Sequence, residues 1–368
     1  MTDRDRRQVA AWLFLCAALA FAVVLVGGVT RLTRSGLSIV EWQPLVGVLP
    51  PLSQADWEVL FAKYRETPEF RLVNFDMTLE GFKSIFWWEY IHRMLARLIG
   101  LVFFFPYLYF LVRKKLERRL TWQLGGIFLL GAVQGAMGWY MVKSGLVDDP
   151  KVNPVRLTMH LGLALAIFSA ELWLAMQLLY RKIDFNPLAV LVAILVFAMA
   201  LSGGMVAGLR AGYAYNTFPL MNGHLVPPEV LMLEPWWRNF LYNMSTVQLV
   251  HRAFFWVLLG LIAVAWWGGR YSLACNVLAV AFLVQAALGI STLLTGVPVA
   301  LGAAHQGGAV LLLGAALWNA HSGNTHSGNT LSAVHREPAR NAQHLAGDEI
   351  GVVAREKGDG AGQVFRLP

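Results

Sequence analysis

Eight apolar runs, each long enough to cross a bilayer, decide what this chain can fold into. They fall near residues 10–30, 87–111, 121–142, 156–180, 187–209, 244–267, 271–294 and 298–320. A spanning helix needs about 20 mostly apolar residues. In hydrocarbon every backbone polar group must be satisfied inside the segment, which a helix achieves. The chain is 57% hydrophobic and 14% charged, where a soluble domain carries about 25% charged residues. A soluble fold of this length could not hide so much apolar surface. The expected fold is an all-α integral membrane protein with the lipid bilayer as its solvent.

An even number of spans puts both ends of the membrane region on one side. Arg4, Arg6 and Arg7 precede the first span, "RKKLERR" (113–119) joins the second and third, Arg181 and Lys182 join the fourth and fifth, and Arg270 joins the sixth and seventh. Short basic loops stay in the cytoplasm, so both termini are expected there. Loops 31–86, 143–155 and 210–243 then face outward. The formal charge of +8 follows from these loops and gives no sign of nucleic-acid binding. The N-terminal "MTDRDRRQVA" contains Asp3 and Asp5, which a transit peptide avoids, and the apolar run after it is too long for a signal-peptide core. It reads as the first span of a bacterial inner-membrane protein. Cys16 and Cys275 lie within apolar runs. Small core residues or reactive thiols are the two readings, and no spacing supports a disulfide or a thiolate metal site.

The two halves repeat. "GGVTRLTRSG" (27–36) resembles "GGMVAGLRAG" (203–212), which aligns Arg34 with Arg210. "PLVGVLPP" (44–51) resembles "PLMNGHLVPP" (219–228), "EYIHR" (89–93) answers "QLVHR" (248–252), "VQGAMG" (133–138) answers "VQAALG" (284–289), and "TMHLGLAL" (158–165) resembles "AAHQGGAV" (303–310). Four helices per half preserve orientation, so the repeat is parallel. Two pseudo-symmetric four-helix bundles are expected, residues 1–182 and 183–320, followed by a polar tail over 321–368. The tail carries the direct repeat "HSGNTHSGNT" and reads as disordered and cytoplasmic.

Of nine histidines, His224, His321, His326, His335 and His344 fall in loops or tail, while His92, His160, His251 and His305 lie inside spans. Those four occupy the even-numbered helices, each within about the first two turns, and so share one depth in the outer leaflet. One buried histidine is usually a satisfied core residue. Four at matched depth, two per repeat, are what bis-histidine haem ligation requires of neighbouring helices. Zinc would need further ligands that no nearby Cys or Asp supplies, and a proton relay would not need two-fold repetition.

A haem carries two propionates. Arg93 and Arg252 each follow a span histidine, and Arg34 and Arg210 sit at equivalent outer helix ends. All four are candidates to hold propionates, against the plainer reading of snorkelling interfacial arginines. Arg97 has no counterpart. The repeated Gln134 and Gln285 either bond across helices or line the pockets, and Gly135, Gly138 and Gly289 allow close approach of a ring or a helix. The halves differ at one telling place. Glu89 lies one turn before His92, whereas Gln248 stands before His251. A carboxylate can serve as general base or acid and an amide cannot. Chemistry is therefore expected in the N-terminal half and a permanent haem in the C-terminal half, unless Glu89 only pairs with an arginine such as Arg93. Glu171, deeper in the fourth span, has no counterpart and draws no firm role.

The paired repeats, "EYIHR" and "VHR" on spans two and six, the histidines on spans four and eight, and "GGVTRLTRSGLSIVEWQPLVGVLPPL" (27–52) together resemble haem A synthase. The resemblance covers roughly residues 8–320. It implies oxidation of a methyl group of haem O, through an alcohol, to the formyl group of haem A for cytochrome oxidase. It further implies a substrate haem on His92 and His160, a cofactor haem b on His251 and His305, and Glu89 as catalytic carboxylate. Haem O synthase and cytochrome oxidase assembly proteins become candidate partners, and a homo-oligomer a candidate assembly. The chain lacks the outer-loop cysteine pair of some members and so resembles the proteobacterial and mitochondrial branch. The competing classes are a di-haem, quinol-linked carrier of the cytochrome b type and a non-catalytic haem carrier.

Overall fold

The computed structural model describes residues 1–41, 47–145, 150, 152–180, 186–270 and 272–322, apart from the side chains of 144 and 145. Part of the 44–51 loop repeat, the Arg181–Lys182 link and the tail beyond residue 322 lie outside them. Among the described residues eight helices are long and apolar enough to cross a membrane. They are α1 (Asp3–Leu32), α2 (Leu79–Val112), α3 (Arg118–Gly145), α4 (Pro154–Leu179), α5 (Pro187–Leu209), α6 (Met244–Gly269), α7 (Leu273–Leu294) and α8 (Val299–Ser322). No strand occurs among the described residues.

The helix starts are set by local chemistry. Asn153 and Asn186 each precede a proline at the first helical position, and their side chains accept from backbone N–H groups of the first turn. Asparagine satisfies orphan donors there, and proline lacks the N–H that would be orphaned. Asn243 caps α6 in the same way. The helix α8 runs on to Ser322, two residues past the boundary that polarity suggests. His321 is therefore helical and buried, edge-on to Trp173 at 5.1 Å between ring centroids, and not part of the tail.

Within the first half α1 packs on α2 and α4, and α3 closes the ring between α2 and α4. The second half repeats these neighbours with α5, α6, α7 and α8. The halves meet through α1 with α8, α4 with α5, and α4 with α8, the pairings that a two-fold repeat generates. The four helices α1, α4, α5 and α8 are thus central, and their buried residues Val24, Leu165, Val192 and Val310 belong to one apolar core. Cys16 and Cys275 are both buried. On the outer helices Phe105, Trp122, Val264 and Val280 are exposed, as lipid-facing side chains should be.

Ion pairs from Met1 to Glu117, Arg6 to Glu117 and Lys115 to Asp5 tie the N-terminus to the α2–α3 loop. At the opposite end α2 is longer than its hydropathy suggests. Its 34 residues span about 51 Å, more than the ~30 Å hydrocarbon core. The surplus turns carry Phe82, Ile85 and Phe86, which pack on Trp57 and Tyr64 of a short helix, Gln54–Arg65. This small aromatic layer, with the short helix Pro68–Leu72, was invisible to a reading based on spans.

Candidate functional site

Each of the four span histidines sits against a glycine of the preceding helix. A Cβ built on Gly27 would lie 2.9 Å from His92 Cε1, one on Gly138 3.0 Å from His160 Cε1, one on Gly203 3.2 Å from His251 Cε1 and one on Gly289 2.7 Å from His305 Cε1. The glycines are equivalent in pairs, Gly27 with Gly203 and Gly138 with Gly289, so the repeat covers the seat as well as the ring. His92 and His160 stand on α2 and α4 of the first half, and His251 and His305 on α6 and α8 of the second, one pair of imidazoles per half. Among the described residues no three His, Cys, Asp or Glu side chains are placed to hold a metal ion together. Paired imidazoles on glycine seats fit a planar group that brings its own equatorial ligands, as a porphyrin does.

The repeated glutamines touch the histidines. Gln285 Nε2 donates to the His305 carbonyl at 2.8 Å and lies 3.1 Å from its Nδ1, and Gln134 Nε2 lies 3.5 Å from His160 Nε2.

Glu89 is buried and surrounded by donors. Its Oε2 accepts from Ser38 Oγ at 2.7 Å and from the Ile39 N–H at 2.8 Å. Its Oε1 accepts from Arg93 Nε at 3.0 Å and from Nη2. Arg93 also donates to the carbonyls of Ile39 and Glu41. The pair thus pins the loop that follows α1 to α2. The second half has the same clamp in a different chemistry. Gln248 donates to the carbonyls of Ala211 and Tyr215, and Arg252 donates to those of Tyr215, Thr217, Pro219 and Leu220. Of the two arginines expected to face propionates, Arg93 is thus engaged by Glu89 and loop carbonyls and Arg252 by loop carbonyls, while Arg252 Nε has no hydrogen-bond partner among the described residues.

Arg34 and Arg210 do come together. Both stand at equivalent left-handed positions, φ 56° and 54°, just past α1 and α5. With Tyr213, Ala214 and Met244 they line an open cavity of about 450 Å³. Burial, and then the like charge of Arg34, pull Arg210 below its ordinary value. Arg31, which has no arginine counterpart at Ala207, donates to the Ala207 carbonyl at 2.7 Å and bridges the halves. Arg97 contacts Met94 Sδ at 3.6 Å. Glu171 is 1% exposed, and its Oε2 has no hydrogen-bond partner among the described residues.

Three contributors escaped the sequence reading. Ser38 and Ile39 hold Glu89 from within the 27–52 stretch that carries the family resemblance, where nothing marks them as its partners. Glu69 is buried in the aromatic layer, accepts from the Tyr64 hydroxyl at 3.3 Å, and is pushed up to about 7 by burial. The glycine seats were visible as repeats, but only the packing shows that the neighbour is a histidine ring.

Fold and site together define a multi-pass membrane protein with one imidazole pair in each of two repeated halves. The family described as cytochrome oxidase assembly protein matches residues 10–317, and the chain belongs to it. It is 58% identical over 332 residues to a protein named Heme A synthase from Nitrosospira multiformis, covering 86% of this chain and 93% of that one. It is 54% identical to the Heme A synthase of Nitrosomonas eutropha, with the same coverage. The Heme A synthase of Parvibaculum lavamentivorans is 45% identical over 328 residues, 87% of this chain and 95% of its own.

Proposed function

We infer that the chain is a haem A synthase, an oxidoreductase that converts haem O to haem A. The observation that carries the reading is a matched pair of imidazole seats with a carboxylate beside only one of them. A carrier of electrons or of haem has no need of that difference.

In this reading residues 1–182 form the substrate half and 183–320 the cofactor half. His92 and His160 hold haem O by its iron, and His251 and His305 hold a resident haem b, which supplies one-electron redox chemistry when bound. With water as the oxygen source, taking a methyl group to an alcohol releases two electrons and two protons, and taking the alcohol to a formyl group releases two more of each; the electrons pass to an external electron acceptor, and a group at the substrate edge must take the protons. Glu89, one turn from His92, is the group on this chain for that task. Arg93, Ser38 and the Ile39 N–H fix its position, so that it does not have to be ordered when substrate arrives. Arg34 and Arg210 supply a cationic cavity at the outer end between the halves, suited to propionates. The protein lies in the bacterial inner membrane with both termini in the cytoplasm, because the short basic loops belong there. Haem O synthase and cytochrome oxidase assembly proteins are the partners this chemistry calls for.

The test is haem extraction and chromatography from cells that make haem O, with and without the chain. Haem A should appear only with it. Unaltered haem O alongside a protein loaded with two haems would favour the electron-carrier reading.

A further inference from the structure

The two imidazole pairs differ in what lies behind the rings. Ser202, on α5 next to the glycine seat Gly203, donates its hydroxyl proton to the Met199 carbonyl at 2.7 Å. The same oxygen lies 2.8 Å from His251 Nδ1. A hydroxyl has one proton to give. With that proton on Met199, the contact to His251 requires the ring to donate from Nδ1. A neutral imidazole carries one N–H, so Nε2 is left with its lone pair, the form a metal ligand needs.

The N-terminal half lacks this arrangement. The residue equivalent to Ser202 is Val26, next to the seat Gly27, and valine cannot accept a proton. The Val23 carbonyl is within reach of the His92 ring as the Met199 carbonyl is of His251, but no hydroxyl stands beside it, and His92 Nδ1 completes no hydrogen bond among the described residues. His160 Nδ1 is likewise without one, and the neighbour of His305 Nδ1 is the Gln285 amide nitrogen at 3.1 Å, a donor that cannot accept the ring proton, so the arrangement at His251 stands alone among the four.

We propose that Ser202 is a positioning residue that locks His251 in its iron-binding tautomer and so makes the C-terminal site retentive, while the N-terminal site is left able to release its haem. This rests on the assignment of the resident haem to His251 and His305. A substrate site must let product go; a cofactor site must not. Outer-shell partners of this kind typically contribute about 10–100-fold in metal affinity, enough to separate the two behaviours.

The test uses the full-length holoprotein in detergent. Transfer of its resident haem to excess apomyoglobin is timed, and its midpoint potential is titrated. Ser202→Ala should release haem roughly 10–100-fold faster. Its potential should rise, because a ring that no longer donates from Nδ1 is a less basic ligand and favours ferric iron less. Ser202→Thr keeps the hydroxyl and should restore both values. A Ser202→Ala protein with wild-type release and potential overturns the proposal. So does a Ser202→Thr protein as leaky as the alanine variant, since the hydroxyl would then not be the cause. His251→Ala separates the two levels of inference. If it keeps its haem, the assignment of the resident site falls. If it loses its haem while Ser202→Ala behaves as wild type, only the role of Ser202 falls.

Discussion

His305 occupies the space where a side chain on Gly289 would be, with Cε1 2.7 Å from the ideal Cβ position. That distance is too short for any real contact, so Gly289→Ala must move the ring or the helix. Overpacking of this kind typically costs about 1–3 kcal/mol, and the ring it displaces is a proposed iron ligand. Gly289→Ala should lower thermal stability and deplete the haem that co-purifies. Gly260→Ala in α6 is the control, because nothing lies within 4 Å of its Cβ and alanine favours a helix by about 0.5–1 kcal/mol. Equal haem content in the two variants would show that the seat is not needed.

The spans, the repeat and the four histidines were legible because hydropathy and spacing encode them directly. The neighbours of Arg93 and Glu89 were not. A carboxylate and a guanidinium four residues apart on a helix are expected to meet, yet nothing in "EYIHR" says that both also hold the loop at Ser38, Ile39 and Glu41. Loop carbonyls are identical in every residue, so their use by Arg252 leaves no mark in the sequence. The aromatic layer around Tyr64 was missed for a related reason. A helix of 12 residues with mixed polarity gives no spanning signal, and its burial depends on the surplus length of α2.

His251→Ala and His305→Ala should each deplete the co-purifying haem b, and the pyridine haemochrome spectrum of the purified proteins measures this. His92→Ala and His160→Ala should leave that haem in place and abolish haem A formation. Unchanged haem b in both C-terminal variants would mean that the pairs had been assigned to the wrong halves.

A reporter fused after Arg119 checks the orientation. The loop around it is ion-paired with the N-terminus, so one fusion reports on both. A cytoplasmic signal is expected from its basic composition. A periplasmic signal would invert the whole assembly and place the Arg34–Arg210 cavity on the cytoplasmic side.

Glu69 should make stability depend on pH. Burial raises its carboxyl from 4.5 to about 7 in the fold. The folded state therefore holds the proton more tightly than the unfolded chain. This contribution is fully present below about pH 4.5 and is lost as pH rises through about 7, on the order of 3 kcal/mol for a shift of this size. Glu69→Gln removes it. Melting temperatures of the wild type relative to Glu69→Gln should be higher at pH 5 than at pH 8. Parallel curves across that range would show that Glu69 does not titrate there.

Glu89→Gln puts the proposed chemistry to its strictest test. The amide keeps the size of the carboxylate, but the Ile39 N–H and Arg93 can only donate, and Ser38 Oγ would have to turn its proton to the Ile85 carbonyl before it could accept. The new NH₂ must face one of them, so some loss of order in the loop is built into the variant. Activity loss alone therefore cannot identify a catalytic group, and Arg93→Met supplies the comparison. It breaks the same clamp and leaves the carboxylate held by Ser38 and Ile39. Severing one partner of a buried ion pair typically costs about 3–5 kcal/mol, so Arg93→Met should be the less stable protein. If Glu89 accepts a proton from the substrate, its loss should reduce conversion of haem O by about 10²–10⁴-fold, well beyond the effect of Arg93→Met, with haem b on His251 and His305 retained in both. Haem O, alcohol and haem A are quantified from cells expressing each variant. Equal losses in the two would reduce Glu89 to a loop clamp, and the proton acceptor would then have to lie elsewhere in the N-terminal half.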